Sequence, residues 1–456
     1  MWFITSSALL YTYFLSPLAS LPNAGILAPV SRLLWEFPAE YRGRITLDLP
    51  KLHRALGPLI RIGPNQVSFY SLEIYKAVHG PISLFFKDSR VYSQFVQDGH
   101  PALFSITKVP ALTEMMLRQI DKWINCLAIL DAKGPLNLGL VCRALESDIL
   151  STFAFGDAIG GIDSLETGEE LAIYVNFQDL TGLWHLAAAL IFRFSGWELS
   201  SVISSQRFDN WANAQLVAMK DSEKGSGLSF LKVMAGARMP EQTALSEAKE
   251  MLGPGTDTTS ATLAHILYAL SLNQIFRADL VTDLEASDWP TDMSALEAIP
   301  RLVAAVKEGI RWTGAAAAML PRIVPRGGQL LAGKHLPEGT MISSSPIWYL
   351  RDEIAFPNPE LYRPSRWLDP GKNEATSLRD EYYIPFSRGA STCIGNHFAY
   401  LELFLSLSQV LKRYSIHPGD QSTVTGPSHE AVLPSRREWV AAVPVHRLKV
   451  TPRERH

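Results

Sequence analysis

The residues best suited to chemistry surround one cysteine near the carboxyl end of the 456-residue chain. Cys393 stands between Gly389 and Gly395, in a stretch that begins at Phe386 and precedes an apolar helical pattern over 398–411. Glycine lets backbone pass close to a flat, bulky group, and nearby amide N–H groups could point at the sulfur. A thiolate held in this way suits a soft metal such as haem iron, whereas a lone cysteine is more commonly a buried, inert side chain. This stretch alone leaves both interpretations open.

A second group of polar residues interrupts an apolar pattern that predicts one long buried helix over 246–273. Its centre reads Gly-Pro-Gly-Thr-Asp-Thr-Thr from Gly253 to Thr259. Two glycines and a proline should loosen the helical hydrogen bonds here, so Asp257 and Thr258 could hold water and pass protons inward. In the alternative, the threonines donate to nearby carbonyls and Asp257 is paired at the surface. We favour proton transfer because the acid and the hydroxyls are grouped where the helix is loosened.

Further along, one glutamate and three arginines are candidates for buried charge. Glu308 and Arg311 share one face of an otherwise apolar helix predicted over 302–312, and a buried pair of this kind needs a further partner. Arg366 is the candidate for that third position. Arg322 follows a proline that fixes its backbone, and its guanidinium could pair with a carboxylate of a cofactor, although an isolated arginine is more often solvated.

The composition is that of a globular protein with a large core. The chain is 47% hydrophobic and 19% charged, and its net charge of −3 gives no reason to expect nucleic-acid binding. Three cysteines cannot form a disulfide framework, which favours a reducing compartment. Helical patterns dominate from 110 to 313, with short strand signals near 59–69, 321–343 and the carboxyl end. We therefore predict a mostly α fold with a small β part, in the α+β class, as a single domain over 21–456.

The amino-terminal segment is apolar and carries no charged side chain before Arg32. Its apolar run over 2–15 is shorter than the roughly 20 residues that a spanning helix needs. A signal peptide is disfavoured because no basic residue precedes the run and no clear cleavage site follows it. We predict a shortened membrane anchor over 1–20, and the alternative is a disordered or surface-lying apolar tail.

In this order, the motifs resemble those of the haem-thiolate monooxygenases, the cytochromes P-450, and most of all their fungal microsomal members. The resemblance extends from about 21 to 443. Four motifs carry it: the haem loop at 386–395, the oxygen-activation helix at 255–259, the structural triad of Glu308, Arg311 and Arg366, and the propionate-binding position of Arg322.

The resemblance implies a cofactor and the residues that bind it. Haem b would lie between the long central helix and the cysteine loop. Cys393 would be the axial thiolate ligand of the iron. Phe386, Gly389, Gly395 and Arg322 would bind the rest of the cofactor.

The resemblance also implies a reaction. One oxygen atom would be inserted into an apolar small molecule of secondary metabolism, with Asp257 and Thr258 delivering protons. Electrons would come from an NADPH-cytochrome reductase. The protein would be attached to the endoplasmic reticulum membrane through its amino terminus, with the catalytic domain on the cytoplasmic side.

Three positions depart from the family pattern. Ser391 stands where the family usually has an arginine or histidine that binds haem, and Pro254 replaces the usual alanine. After Thr107, the expected arginine-rich helix is missing from the sequence. This last departure motivates an alternative in which the chain is a haem-poor relative acting as a scaffold or binding module. A further alternative keeps the haem but gives desaturation, ring formation or rearrangement.

Overall fold

The computed structural model describes residues 11–88, 110–132, 134–167, 202–220, 229–369, 371, 373–419, 430–439 and 441–455. The two residues that follow Thr107 and residues 1–10 of the predicted anchor lie outside these ranges. The chain forms two compact units. The first unit comprises Met1–Phe95, Val303–Asn396 and Glu430–His446, and the second comprises Val96–Leu302, His397–His429 and Arg447–His456.

Helices occur in both units and make up most of the described residues of the second. In chain order they are α1 (Glu36–Tyr41), α2 (Ile45–Leu56), α3 (Leu72–His79), α4 (Pro110–Asp131), α5 (Leu138–Phe155), α6 (Gly161–Thr167), α7 (Val202–Lys220), α8 (Phe230–Gly236), α9 (Glu241–Leu272), α10 (Gln274–Ala286), α11 (Met293–Glu297), α12 (Pro300–Thr313), α13 (Pro346–Leu350), α14 (Glu374–Tyr382) and α15 (Asn396–Arg413). Short 3-10 turns cover Arg32–Leu34, Pro364–Trp367 and Gly389–Ser391, and a π-helical turn covers Tyr11–Leu15.

The strands are short. They are β1 (Leu59–Gly63), β2 (Gln66–Phe69), β3 (Phe86–Lys87), β4 (Leu136–Asn137), β5 (Arg322–Ile323), β6 (Gln329–Leu331), β7 (Lys334–Leu336), β8 (Met341–Ser343), β9 (Tyr414–Pro418), β10 (Arg436–Glu438), β11 (Ala442–Pro444) and β12 (Lys449–Glu454). The predicted class, mostly α with a small β part, is confirmed.

The first unit is built around a five-stranded sheet with the order β1-β2-β8-β5-β3. The predicted hairpin over 59–69 is present as the antiparallel pair β1 and β2, and β8 pairs with β2 in parallel. The helix α3 follows this hairpin because the hydroxyl of Ser71 accepts a hydrogen bond from the amide of Ile74 and so caps its first turn. Phe69, Tyr75 and Tyr349 are completely buried beside the sheet. This core fixes the strand that carries Arg322.

The second unit is organised by the close packing of α9 against α5. A Cβ atom added at Gly255 of α9 would lie 2.7 Å from the Cδ1 atom of Leu150 in α5, so a side chain there would force Leu150 to move. The helix α5 ends where Gly156 adopts φ +92°, a conformation that glycine favours. A three-stranded sheet with the order β4-β12-β9 belongs to the same unit.

The long central helix differs from its prediction at the amino end and in its middle. It begins at Glu241, before the predicted start, and it continues as helix through Pro254. Proline has no N–H group, so the carbonyl of Glu250 loses its ordinary helical donor. The hydroxyl of Thr258 donates to the carbonyl of Pro254 over 2.8 Å, so the helix gains a side-chain hydrogen bond next to the backbone bond that proline removes.

Two buried carboxyl groups face each other in the second unit. Glu146 of α5 and Glu402 of α15 are 0% and 1% exposed, and no other described group hydrogen-bonds to their oxygens. Burial raises the pKa of Glu146 well above its usual value, and the charge of Glu402 adds to this effect. Burial raises the pKa of Glu402 to about 7, although a hydrogen bond from Glu146 opposes the rise. The pair therefore keeps a proton on Glu146, which donates to the Glu402 carboxylate.

Replacing Glu402 by glutamine is expected to flatten the pH dependence of stability between about pH 5 and pH 8. Because folding raises the pKa of Glu402 from 4.5 to about 7, its stabilising contribution is complete below pH 4.5 and is lost as pH rises through 7. At about 1.4 kcal/mol per pKa unit, that loss is on the order of 3 kcal/mol. Denaturant unfolding at several pH values measures it. The control variant Glu114→Gln alters only an exposed ion pair, so its unfolding free energy should vary with pH as in the wild type. If the unfolding free energy of Glu402→Gln also varies with pH as in the wild type, the shared proton is contradicted.

Candidate active site

The backbone of the cysteine loop in the first unit is shaped by glycine. Gly389 adopts φ +73°, and a Cβ atom there would lie 2.3 Å from the carbonyl oxygen of His79, so no other residue fits without moving backbone. Four residues later, the amide of Cys393 donates to the carbonyl of Phe386 over 2.9 Å and closes the loop. Phe386 and Gly389, predicted to bind the cofactor, thus set the path of the chain that presents the cysteine.

An unfavourable backbone conformation lies at the entry to this loop. Ser387 adopts φ +61°, a left-handed conformation that L side chains rarely adopt. Its hydroxyl lies 2.8 Å from the phenol oxygen of Tyr75 on α3, and this hydrogen bond helps to hold the conformation. The sequence contained no signal for this pair, because the partners are separated by more than 300 positions.

Cys393 differs from the other two cysteines in its surroundings. Cys126 and Cys142 are buried in the second unit, whereas Cys393 is exposed. Although the residue is exposed, the dense loop around its sulfur raises the pKa of the thiol, and a backbone N–H of Gly395 that points at the sulfur lowers it in part. The amide favours the thiolate form that binds metal. The loop therefore presents an accessible sulfur with its own hydrogen-bond donor.

Arg322 lies on β5, between β8 and β3, and is 4% exposed. Its Nη1 atom donates to the carbonyl of Pro321 over 2.9 Å. His79, at the end of α3, is 3% exposed and stacks on Tyr75 with ring centroids 4.4 Å apart. Burial lowers the pKa of His79 to about 3, and the charge of Arg322 lowers it further. Among the described residues, neither ring nitrogen of His79 has a hydrogen-bond partner.

These residues fit a haem. The exposed sulfur of Cys393 with an N–H donor is a suitable soft ligand for iron, and Arg322 is a buried cation suited to a propionate. The backbone at Gly389 approaches another segment too closely for a side chain, as expected for a loop shaped to present one ligand. Ser391 offers only a hydroxyl, and the neighbouring Arg388 donates to the carbonyl of Glu381, so Arg388 is already engaged.

The three residues of the predicted triad meet in the first unit. Glu308 and Arg311 of α12 are both 0% exposed and form two parallel hydrogen bonds of 2.8 Å. The Nε atom of Arg366 donates to Glu308 over 3.1 Å. Arg311 also donates to the carbonyls of Leu350 and Pro359, each over 3.0 Å. The buried charges are thus compensated by one another and by backbone oxygens.

Two further donors to Glu308 were missed by the sequence reasoning. The indole Nε1 atom of Trp367 donates to it over 2.9 Å, and the backbone amide of Arg363 donates over 2.9 Å. The signal for Trp367 was present, because it directly follows Arg366 and a buried indole N–H needs an acceptor. No pattern in the sequence could identify a backbone amide as a partner.

Asp257 and Thr258 lie on α9, in the second unit. Asp257 forms an ion pair with Arg143 of α5, and Thr258 donates to the carbonyl of Pro254. Both contacts match the alternative interpretation, in which the threonine donates to a nearby carbonyl and Asp257 is ion-paired. The proton-transfer role of both residues therefore remains a prediction. They do not exclude that role, because a hydroxyl that donates to a carbonyl keeps its oxygen free to accept a hydrogen bond. Arg143 was missed, although a lone arginine within an apolar helix was a signal for a buried or half-buried partner.

The cysteine loop, the buried triad and the mostly helical fold define the class of a haem-thiolate protein. The cytochrome P-450 family profile matches residues 211–439, a range that passes through segments of both units. The chain therefore belongs to the cytochrome P-450 family. The predicted family and the predicted enzyme class, a P-450 monooxygenase, are confirmed.

Similar proteins are fungal. The chain is 27% identical to cytochrome P-450 monooxygenase macH of Penicillium terrestre, with 89% of this chain and 88% of the relative covered. It is 26% identical to cytochrome P-450 monooxygenase oblB of Emericella variicolor, with 95% and 88% covered. It is 25% identical to a pisatin demethylase of Fusarium vanettenii, with 91% and 87% covered. The alignments thus extend over most of each chain.

Proposed function

We propose that this protein is a haem-dependent monooxygenase that inserts one oxygen atom into an apolar small molecule of fungal secondary metabolism. The observation that carries the proposal is the accessible sulfur of Cys393, held in a glycine-shaped loop with an N–H donor from Gly395. Family membership and the fungal monooxygenase relatives support the reaction class. The substrate's apolar character is inferred from the family resemblance.

Each residue of the loop has a separate part in cofactor binding. Cys393 would be the protein ligand of the iron in haem b, and Gly395 would hold the sulfur as a thiolate. Phe386 and Gly389 would keep the loop in shape, and Arg322 would pair with a propionate. When bound, haem supplies an iron that activates molecular oxygen, with the thiolate donating electron density that favours O–O cleavage.

Asp257 and Thr258 are proposed to deliver protons during the reaction. The Thr258 hydroxyl is oriented by the carbonyl of Pro254, which leaves its oxygen able to accept a hydrogen bond. The ion pair with Arg143 limits where the carboxylate of Asp257 can reach. Electrons are proposed to come from an NADPH-cytochrome reductase, as in microsomal members of the family.

Replacing Thr258 by valine is expected to uncouple NADPH use from product formation. Valine keeps the shape of threonine and removes only the hydroxyl, so the proton donor is lost. We expect the product formed per NADPH to fall about a hundredfold, the lower end for loss of a positioned acid–base group. Thr262→Val is the matched control, because Thr262 donates in the same way to the carbonyl of Thr258 over 2.8 Å. Equal coupling in the two variants would remove Thr258 from the proton path.

The absorption spectrum of the reduced, carbon monoxide-bound protein tests the whole proposal. A Soret band at the position typical of thiolate ligation, followed by product formation with a reductase, is the expected result. The competing candidate is the haem-poor scaffold, motivated by the absence from the sequence of the arginine-rich helix expected after Thr107. Failure of the folded protein to take up haem would overturn the monooxygenase and support the scaffold.

We further propose attachment to the cytoplasmic side of the endoplasmic reticulum membrane, supported by the uncharged, apolar amino terminus. Among the described residues, no helix is both long and apolar enough to cross a bilayer. Leu18, within the predicted anchor over 1–20, is 2% exposed in the core of the first unit, so a test should remove only residues 2–10.

Deleting residues 2–10 is expected to move the protein from the microsomal pellet to the supernatant. The reason is that this segment supplies much of the uncharged apolar run whose burial in lipid would stabilise attachment. Sedimentation of microsomes from a host that expresses either form measures the effect. If both forms sediment alike, the amino-terminal segment is not the attachment site.

A further inference from the structure

A buried arginine in the second unit has no counter-ion among the residues that the structure describes. Arg277, in the first turn of α10, is 8% exposed, and its Nη1 atom is fully enclosed. In the described ranges, no hydrogen bond or ion pair reaches its guanidinium. Arginine remains charged in proteins, and an isolated charge removed from water is strongly unfavourable. The position therefore has an unmet requirement for negative charge or for a hydrogen-bond acceptor.

Two further basic side chains lie on the neighbouring sheet. In the antiparallel pair β9 and β12, His417 lies opposite Thr451 and Ser415 lies opposite Arg453. Because side chains alternate between the faces of a strand, these four residues share one face. The other face carries buried residues such as Ile416 and Val450, at 2% and 1% exposure. The basic side chains of His417 and Arg453 are therefore on the outer, partly accessible face.

The helix that carries Arg277 lies against this sheet, because Glu285 of α10 forms an ion pair with Arg455, which directly follows β12. Burial lowers the pKa of His417, and the charges of Arg277 and Arg453 lower it further. The Nε2 atom of His417 lies 3.1 Å from the hydroxyl oxygen of Ser415, which orients the ring on the sheet. We call Arg277, His417 and Arg453 the cationic cluster. Its members come from α10, β9 and β12, so it exists only in the folded unit.

The acidic residues around the cluster are engaged elsewhere. Glu285 pairs with Arg455, whose Nη1 atom also donates to the carbonyl of Leu411 over 2.8 Å. Glu454 pairs with Arg413 over 3.5 Å. Arg455 also lies close enough to Arg277 for its charge to lower the pKa of Arg277, after the larger effect of burial. Nothing in the described part of this unit neutralises the cluster.

We infer that the cationic cluster is a binding site for a phosphate group, either free inorganic phosphate or a phosphate monoester. A tetrahedral dianion can accept from the guanidinium of Arg277 and from the side chains on the outer face of the sheet. Arginine is suited to this role because its planar fork of donors matches two oxygens of one phosphate. The inference does not depend on the proposed monooxygenase function, since it uses none of the residues assigned to haem or oxygen.

Isothermal titration calorimetry and thermal unfolding of the full chain test the site. Inorganic phosphate and phenyl phosphate are titrated separately, against chloride at matched ionic strength. We expect saturable binding of one phosphate per chain and a rise in Tm of about 2 °C or more at saturation. Binding of both compounds, or of the ester alone, supports the inference and distinguishes free phosphate from an ester as the ligand. Stabilisation that chloride reproduces would overturn it, because simple charge screening would then explain the effect.

The variant Arg277→Met supplies a sharper test. Without phosphate, this variant should be at least as stable as the wild type, because an apolar chain replaces an unpaired buried charge. In saturating phosphate, the wild type should gain stability and the variant should not. The wild type should then have the higher Tm. Arg301→Met is the control, since Arg301 is already paired with Asp283 over 2.7 Å and should keep the phosphate response. Equal phosphate binding by Arg277→Met and the wild type would refute the site.

Discussion

Replacing Cys393 by alanine is expected to abolish the Soret band of the reduced, carbon monoxide-bound protein and all product formation. Alanine removes the proposed protein ligand of the haem iron, and no other group in the loop supplies a soft ligand. Because the residue is exposed, the substitution should not unfold the protein, and the far-ultraviolet circular dichroism spectrum should match that of the wild type. The absorption spectrum and turnover with a reductase are the measurements.

The other cysteines provide the control for this substitution. Cys126→Ala removes a buried free thiol from the second unit and should keep the band and the activity. A thiolate-type band that survives in Cys393→Ala would refute the ligand assignment. Loss of the band in Cys126→Ala as well would indicate that haem loss follows from general destabilisation.

The second large effect is expected at Glu308. Replacement by glutamine removes the negative charge that compensates Arg311 and Arg366, and leaves two buried or nearly buried guanidinium groups without a carboxylate. Breaking one partner of a buried ion pair costs about 3–5 kcal/mol of unfolding free energy. Denaturant unfolding followed by circular dichroism measures the loss, and a lower yield of haem-loaded protein should accompany it.

Glu430→Gln is the matched control for Glu308→Gln. Glu430 also pairs with an arginine, Arg363, over 2.7 Å, but both side chains are partly exposed. An exposed pair contributes about 1 kcal/mol or less, because water solvates both charges. If the two variants lose the same stability, burial of the network is not what makes Glu308 important.

The cysteine loop shows how far sequence reasoning reached in the site. Residue type and spacing made Cys393 a candidate ligand, which the family resemblance then favoured, and they led us to expect glycine where the backbone is crowded. They could not reveal that the crowding partner of Gly389 is the carbonyl of His79, because this contact joins positions more than 300 residues apart. The same limit applies to the bond between Ser387 and Tyr75.

The central helix shows where a local rule was incomplete. Proline and glycine predicted a loosened helix, yet α9 continues through Pro254. Gly255 has a packing reason as well, since any side chain there would displace Leu150 of α5 from its present position. Tertiary packing can hold a helix whose intrinsic propensity is poor. The partner of Asp257, Arg143, depends on the same packing of α9 on α5 and could not be assigned from the sequence.

The sequence alone determined the family, the fold class and the candidate ligand, because these depend on short motifs and on periodic apolar patterns that local chemistry defines. Only the tertiary structure decided which charges are compensated. It gave Glu308 two further donors, brought Glu146 and Glu402 together on one shared proton, and left Arg277 beside other cations. Burial and pairing set the free energy of a charge, and both depend on residues that are distant in the chain.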